Sequence, residues 1–312
     1  MSDMQLNAAD ILAAGPAPDR PDVDDLSPPP LKGPGLKTFL RRAVLTSAAR
    51  VAPRLTADRL ARRYLTPNQS VLDDLSTRRH GYEICDLGAD TALLRTSAPA
   101  APSGAPRVLI VPGHDGHVRQ FTRIVRALRK RGVAVDILVF PGHTHNARSI
   151  CSMQHMVTAV RRADAFNGHY DGIVAHCVAS NAMLQVLEQG MSCPRLAMIS
   201  TPLDLPALVR FGGQQYGLSG RCLDFFVDRV NAISAPCAID KPWRPVVETS
   251  QGELLVVHAR NDYAAPIEKT RPLAAAWPGA QLAEFDQGGH NEILNVTSAI
   301  DRIADFMAPA QP

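Results

Sequence analysis

The sequence predicts an α/β fold in which a mostly parallel, eight-stranded sheet is covered by helices on both faces. From Tyr82 onward, short segments of strand-like composition alternate with longer segments of helical periodicity. Several of the short segments are largely apolar, which is expected of strands buried on both faces of a sheet. This alternation is typical of parallel strands that are joined by crossover helices.

The predicted strands start with a pair that is joined by the turn Gly88-Ala89-Asp90. Two of the later strands end in Pro-Gly dipeptides, which commonly mark turns. In chain order, the strands are predicted at 82–87, 91–97, 107–111, 133–140, 172–176, 196–200, 253–259 and 281–285. The helices between and after them are predicted at 120–131, 153–165, 179–189, 266–276 and 292–307.

The alternation stops between residues 202 and 250. Prolines and glycines are frequent there, and the segment carries an aromatic cluster. No internal repeat is evident, so we interpret the segment as a helical lid inserted into one catalytic domain that spans residues 80–312. The aromatic residues are Phe211, Tyr216, Phe225, Phe226 and Trp243.

Two further segments precede this domain. Residues 1–35 are rich in proline, acidic and poor in aromatic residues, which predicts a disordered tail. Residues 36–79 form a basic segment with a helical pattern that Pro53 interrupts. A basic amphipathic helix can lie on an anionic membrane surface. The alternative, which we favour, is a helical pair packed on the main domain with its arginines in solvent.

Composition and charge narrow the functional classes. The chain has 312 residues of which 46% are hydrophobic, ample for a sizeable core. Its 33 basic and 30 acidic residues are too balanced to indicate a nucleic-acid partner. No apolar run approaches the roughly 20 residues of a membrane span, and no secretory signal is evident. We therefore expect a cytoplasmic protein whose six scattered cysteines are reduced thiols.

The segment Gly172-Ile173-Val174-Ala175-His176-Cys177-Val178-Ala179-Ser180 predicts a buried strand that turns sharply into a helix. A sharp turn flanked by small residues exposes the side chain at its apex, which here is Cys177. A free cysteine after a strand can also be an inert buried residue, because it packs like a small hydrophobe. Its position between Ala175 and Ala179 favours a nucleophile, and Ser180 lies too far into the helix to replace it.

An acid and a histidine follow two later strands. Asp262 comes after the strand at 253–259, and His290 comes after the strand at 281–285. In an open parallel sheet such positions meet the nucleophile at the carboxyl edge. Asp262 could instead cap the next helix, and the glycines before His290 also suit a plain turn. Asp204, after the preceding strand, is the reserve acid.

The order of Cys177, Asp262 and His290 resembles the α/β-hydrolase superfamily over about residues 80–308. The resemblance implies that Cys177 attacks a carbonyl, that His290 takes and returns the proton, and that Asp262 holds the imidazole. In the family's usual elbow, G-x-S-x-G, glycines and a serine occupy the positions that are alanine and cysteine in this chain.

The resemblance also implies an oxyanion hole that is formed by two backbone amides. One belongs to Val178, and the other to His114 in the loop 111–116 after the third strand. That loop resembles the family's H-G-x loop, although Pro112 stands where histidine is common. The His114 side chain is then expected to be incidental.

No cofactor or metal is predicted. The pairs His114/His117 and His143/His145 come without the further ligands that a zinc site requires, so we interpret them as solvated loop histidines. No glycine-rich nucleotide loop is evident either.

A cysteine nucleophile would form an acyl thioester on the enzyme, and three functions remain open. The first is a hydrolase of the esterase or thioesterase type. The second is an acyltransferase or cyclase, in which an amine or alcohol accepts the acyl group. The third is a binding protein on a hydrolase scaffold. Family members with cysteine here include dienelactone hydrolases and polyester synthases, so a coenzyme A or carrier-protein thioester is a candidate substrate.

Overall fold

The computed structural model describes residue 45 and residues 47–76, 81–96, 105–145 and 149–308. The predicted tail at 1–35 lies outside these residues. Eight strands form one sheet. They are β1 (Tyr82–Gly88), β2 (Thr91–Thr96), β3 (Arg107–Val111), β4 (Ala134–Val139), β5 (Gly172–His176), β6 (Arg195–Ile199), β7 (Glu253–Ala259) and β8 (Gln281–Phe285).

The strand order across the sheet is β1-β2-β4-β3-β5-β6-β7-β8. The β1/β2 and β2/β4 pairs are antiparallel, and every pair from β4 to β8 is parallel. The predicted mostly parallel, eight-stranded sheet is therefore confirmed. β5 lies in the middle of the parallel part, between β3 and β6, so the turn that follows it is central to the carboxyl edge.

From Pro53 onward, ten α-helices and two short 3₁₀ helices accompany the strands in the described parts of the chain, and residues 47–51 before them are helical as well. The 3₁₀ turn Glu292–Asn295 occupies the start of the helix predicted at 292–307, and the 3₁₀ turn Val118–Phe121 overlaps the first two residues of the helix predicted at 120–131. The α-helices are α1 (Pro53–Tyr64), α2 (Val71–Ser76), α3 (Thr122–Lys130), α4 (Met153–Asn167), α5 (Val178–Glu188), α6 (Leu205–Gln215), α7 (Gly220–Ser234), α8 (Arg244–Thr249), α9 (Ile267–Ala276) and α10 (Thr297–Met307).

The sheet separates two hydrophobic core layers. Successive residues of a strand point to opposite faces, so Ile173 and Ala175 of β5 join one layer and Val174 joins the other. The first layer contains buried residues of α4 to α8, and the second contains those of α3 and α10. Both faces of the sheet are thus covered, as the apolar strands predict.

Helix α1 packs against α7. Its buried residues include Ala57 and Leu60, and the Cys222 thiol of α7 donates to the Pro53 carbonyl over 3.3 Å. Asp58 also pairs with Arg229 of α7. The apolar side of α1 is therefore in contact with protein. Pro53 is the first residue of this helix, where the missing amide hydrogen costs nothing.

None of the helices described is both long and apolar enough to cross a bilayer. All six cysteines are free thiols, and five of them are buried.

A buried carboxylate joins the carboxyl-terminal end of β2 to the amino-terminal halves of β3 and β4. Asp136 of β4 is fully buried and accepts hydrogen bonds from Arg95 at 2.9 Å, from Arg107 at 2.8 Å and from the Tyr170 hydroxyl at 3.0 Å. Both arginines keep about a quarter of their side-chain surface in solvent. The cluster ties β2, β3 and β4 together at the edge of the sheet opposite the turn at Cys177.

Replacing Asp136 by asparagine is expected to lower the free energy of unfolding by about 2–3 kcal/mol, because two arginines lose a buried counter-charge. Urea denaturation measures the change. The control is Asp305→Asn at the exposed Arg131–Asp305 pair, where a loss below about 1 kcal/mol is expected. Equal losses in the two variants would contradict this account of the cluster.

Candidate active site

Cys177 occupies the turn between β5 and α5. Its backbone is at φ +55° and ψ −132°, a region that non-glycine residues rarely adopt and that costs on the order of 1–3 kcal/mol. The turn is held by two hydrogen bonds, from the Cys177 amide to Ile199 O at 2.9 Å and from the Ser180 amide to Cys177 O at 3.0 Å. Ala175 and Ala179 on either side are fully buried, so larger side chains would have no room.

The loop after β3 lies directly against this turn. A Cβ atom placed on Gly113 would be 3.0 Å from Cys177 Cβ and 3.3 Å from His176 O. The glycine is therefore needed for close approach. The Val178 amide lies at the first residue of α5, where helical amides have no intrahelical acceptor. The two amides predicted to bind an oxyanion, those of Val178 and His114, thus belong to adjoining segments.

Hydrogen bonds from outside the loop fix its shape. The Asp115 amide donates to His143 Nε2 at 3.0 Å, and the Asp115 carboxylate accepts from the amide of Asn68 at 2.6 Å and from its side chain at 2.8 Å. Gly116 N donates to Gly113 O at 3.0 Å. The His114 amide has no such acceptor among the described residues, which leaves it available to a ligand.

His143 is buried, so the expectation of a solvated loop histidine is wrong for this residue. Burial, and then the charge of His114, lower the pKa of His143 to about 4. A neutral imidazole can accept the Asp115 amide hydrogen through Nε2 while its Nδ1–H donates to Pro141 O at 3.2 Å. The ring of His114, predicted to be incidental, packs edge-on against His143 at 5.9 Å.

His290 and Asp262 meet at the carboxyl edge of the sheet. His290 Nδ1 lies 3.0 Å from Asp262 Oδ1 and 2.9 Å from Oδ2, and both side chains are fully buried. Because an ionised carboxylate only accepts hydrogen bonds, Nδ1 carries a proton. Burial opposes the Asp262 charge, but the hydrogen bond from His290, the charge of His290 and the Ala265 amide together outweigh it and lower the pKa of Asp262. The carboxylate also accepts the amides of Ala264 and Ala265.

The other ring nitrogen of His290, Nε2, is buried and has no hydrogen-bond partner of normal geometry in the part of the chain described. Burial disfavours the imidazolium, yet the charge of Cys177 and the hydrogen bond to Asp262 outweigh it and raise the pKa of His290 to about 10. His290 can therefore carry a proton on both ring nitrogens at neutral pH.

Two buried histidines, which the sequence analysis did not identify, support this pair. His176, directly before the nucleophile, donates from Nε2 to His290 O at 3.1 Å. Burial lowers the pKa of His176 to about 3, so the ring stays neutral and its contact is not lost to protonation. His258 Nε2 donates to Ala265 O at 2.6 Å in the turn that carries Asp262. In the sequence, each of these histidines lies within a largely apolar strand segment, and this pattern could have indicated both of them.

The site is covered from the solvent side. Cys177 is 4% exposed and His290 is fully buried. Tyr64, the last residue of α1, stacks on His114, and Phe226 of α7 packs against Tyr64. No pattern in the sequence indicated Tyr64, because it lies more than 100 residues before the nucleophile among the arginines of α1.

The reserve acid is not brought to the histidine. Asp204 Oδ1 accepts the Ala207 amide at 3.2 Å, so it caps α6, and its carboxylate lies 3.9 Å from Lys269. Ser180, which was judged a poor nucleophile, is fully buried and donates to Ala175 O at 3.2 Å.

The remaining loop histidines contact carboxylates. His117 Nε2 lies 3.1 Å from Asp74, and His145 Nδ1 lies 2.7 Å from Asp73. Across the described ranges, no group of three or more histidine, cysteine or acidic residues is arranged to hold a metal ion.

The sheet order and helix arrangement match those of solved α/β-hydrolase structures. Est1E from Butyrivibrio proteoclasticus superimposes with a TM-score of 0.58 and 16% identity over 74% of this chain and 100% of that chain. MGS-MChE2, an α/β-hydrolase enzyme from the metagenome of lagoon sediments of Mar Chica, Morocco, gives 0.52 and 14% over 71% and 95%. A thioesterase domain from the curacin biosynthetic pathway gives 0.50 and 12% over 73% and 99%.

At these identities the similarity establishes the fold, which is the α/β-hydrolase fold. No protein-family model matches the chain. No curated protein matches its sequence.

Proposed function

We propose that this protein is an acyl-transfer hydrolase of the esterase or thioesterase type that works through Cys177, His290 and Asp262. The observation that carries the proposal is the His290 imidazole. Its Nδ1 is bound to a buried carboxylate, its buried Nε2 makes no hydrogen bond of normal geometry with the described residues, and Cys177 is the group whose charge most raises its pKa. A base oriented in this way beside a thiol is the arrangement that nucleophilic catalysis requires.

In the proposed reaction, His290 Nε2 holds the proton of Cys177, and the thiolate sulfur forms a bond to the substrate carbonyl carbon. The carbonyl electron pair moves onto oxygen, where the amides of Val178 and His114 stabilise the negative charge. The tetrahedral intermediate then collapses. Its bond to the leaving oxygen or sulfur breaks, and the leaving group takes the proton from His290.

The second half of the reaction removes the acyl group from sulfur. A water molecule gives a proton to His290 Nε2 and attacks the thioester carbonyl carbon. The carbon–sulfur bond breaks, the carboxylic acid leaves, and Cys177 recovers its starting state. Asp262 acts in both halves by orienting the ring and stabilising the imidazolium. His176 contributes by holding the main chain of His290.

Fold and chemistry together support an ester or thioester substrate. The solved structures with this fold include a protein named an α/β-hydrolase enzyme and one named a thioesterase domain. A coenzyme A or carrier-protein thioester is a suitable donor, because thioester exchange with a cysteine is chemically easy. The apolar 202–250 segment, which we propose acts as a lid, favours an acyl or aromatic group.

An acyltransferase is the second candidate, and the burial of the site favours it. Cys177 is 4% exposed and His290 is fully buried, so a closed site would keep water scarce while a bound amine or alcohol attacks. The intact His290–Asp262 hydrogen bonds argue against a non-catalytic binding protein, which would have no need of a buried, oriented base.

Rapid mixing of the full chain with p-nitrophenyl esters and acyl-coenzyme A thioesters tests the proposal. We expect intact-protein mass spectrometry to detect one added acyl group on Cys177, and none on the Cys177→Ala variant. In a hydrolase, this acyl-enzyme decays in buffer alone at the turnover rate.

A long-lived acyl-enzyme that is discharged only by an added amine or alcohol would establish the acyltransferase instead. Absence of both an adduct and turnover across the panel would contradict catalysis and leave the binding function.

A further inference from the structure

Tyr64 is the only tyrosine described that stacks on the loop between β3 and the first 3₁₀ helix. Its ring lies parallel to the His114 ring, with centroids 6.3 Å apart and an interplanar angle of 9°. The rings of Tyr64 and Phe226 form a T-shaped pair, with centroids 5.5 Å apart and an interplanar angle of 74°. His114 belongs to the segment whose Gly113 contacts Cys177. The phenol is thus built into the wall of the candidate active site.

A third contact fixes the position of the hydroxyl end of the ring. A Cβ atom on Gly212 of α6 would be 2.6 Å from Tyr64 Cε2 and 3.3 Å from the hydroxyl oxygen. The glycine is therefore what makes room for the phenol. Contacts from α6, from α7 and from the loop after β3 together hold one side chain that a fourth segment, α1, supplies.

We propose that the Tyr64 hydroxyl is a catalytic hydrogen-bond donor, which contacts the reacting carbonyl oxygen of the substrate together with the amides of His114 and Val178. The inference rests on the proposed acyl transfer at Cys177. It adds a side-chain donor from the amino-terminal helix to the two backbone donors that the fold provides, and it explains why α1 is packed over the site.

The electrostatic setting suits this role. Burial, and then the negative charge of Cys177, raise the pKa of Tyr64, so the phenol stays protonated throughout the neutral range. A neutral O–H close to a centre of negative charge is a donor and cannot become a competing anion. Donors fixed in advance where charge develops stabilise the transition state most, because they need no reorganisation during the reaction.

The adjacent His114 ring has a second polar atom without a partner. His114 Nε2 is buried, and nothing in the described ranges accepts from it or donates to it. A purely structural aromatic stack would have no need of polar atoms at this position.

Tyr64→Phe separates the two roles, because it removes the hydroxyl and keeps the ring that stacks on His114. We expect kcat for a p-nitrophenyl ester to fall about hundredfold to thousandfold, the range seen when one oxyanion donor is removed, while KM changes little. Alkylation of Cys177 by iodoacetamide should stay within about twofold of the wild-type rate. Alkylation forms no oxyanion, so it reports the thiolate alone.

Tyr82→Phe, on the edge strand β1, is the matched control and should change neither rate.

Gly212→Ala provides a second test that keeps the hydroxyl but displaces it, since the new methyl group would overlap the ring. We expect the same selective loss of ester turnover with alkylation retained. Thermal unfolding of both variants checks that the native fold persists under the assay conditions.

The inference is overturned if Tyr64→Phe leaves kcat within about twofold of wild type. It is also overturned if alkylation slows as much as ester turnover, because Tyr64 would then act on the thiolate or on the fold. A wild-type chain that neither turns over esters nor forms an acyl-enzyme would instead refute the proposed function, and this inference with it. The wild-type assay alone gives that result, so it is distinguished from a failure of the Tyr64 inference, which only the variants show.

Discussion

Replacing Cys177 by alanine is expected to abolish acyl transfer and to leave the fold intact. The change removes the attacking sulfur from a turn whose neighbours, Ala175 and Ala179, are already alanines. The turn's positive φ of 55° is not relieved by alanine, so the backbone geometry should stay as it is. Ester turnover and intact-protein mass measure the loss of activity, and circular dichroism measures the retained fold.

Cys177→Ser should keep the geometry and still lose most of the rate. A serine hydroxyl is far less acidic than a thiol, so the variant has no anion beside His290. The negative charge that raises the pKa of His290 to about 10 in the wild type is then missing. Cys193→Ala is the matched control, because Cys193 is another buried cysteine, bonded to Arg195 O at the amino end of β6. Full activity in the Cys177→Ala variant would remove sulfur nucleophilicity from the mechanism.

Replacing Asp262 by asparagine should be the second most damaging change, with kcat falling by up to about 10⁴-fold. Asparagine offers an amide where His290 Nδ1–H needs an acceptor, which favours the wrong tautomer of the ring. It also removes a charge that raises the pKa of His290. Iodoacetamide alkylation of Cys177 at neutral pH should slow as well, because the imidazolium that supports the thiolate is weakened.

The loss is expected to be smaller than in an enzyme with a serine nucleophile, because a thiol ionises more easily than a hydroxyl. Asp204→Asn is the matched control, since Asp204 caps α6 and makes no contact with His290 in the described structure. Asparagine caps a helix about as well as aspartate, so this variant is expected to change neither stability nor turnover by much. If Asp204→Asn were the more damaging change, Asp262 would not be the orienting acid.

The strand pattern could be predicted from the sequence because each parallel strand is a short, largely apolar run with turn residues beside it. Four strands, β3, β5, β7 and β8, have the predicted bounds. Helix starts were predicted less well. The segment at 118–121 is a 3₁₀ turn because the His117 side chain accepts the Arg119 amide while Gln120 accepts the His117 amide, a local capping pattern that periodicity does not reveal.

The three residues of the candidate catalytic group could be located from the sequence because parallel strands place their carboxyl ends at one edge of a sheet. Cys177, Asp262 and His290 each follow such a strand. The choice of Asp262 over Asp204 needed the structure. Both acids follow neighbouring strands, and only the path of each loop decides which carboxylate reaches the imidazole.

By itself, the sequence determined the α/β architecture, the central position of the Cys177 turn and the order of the candidate nucleophile, acid and histidine, because these depend on local composition and on the direction of strands. Only the tertiary structure decided what surrounds them. Tyr64 and Asn68 reach the loop after β3 from the amino-terminal segment, and His176 reaches the main chain of His290. Contacts between residues distant in the chain depend on how elements pack, and no local periodicity records that packing.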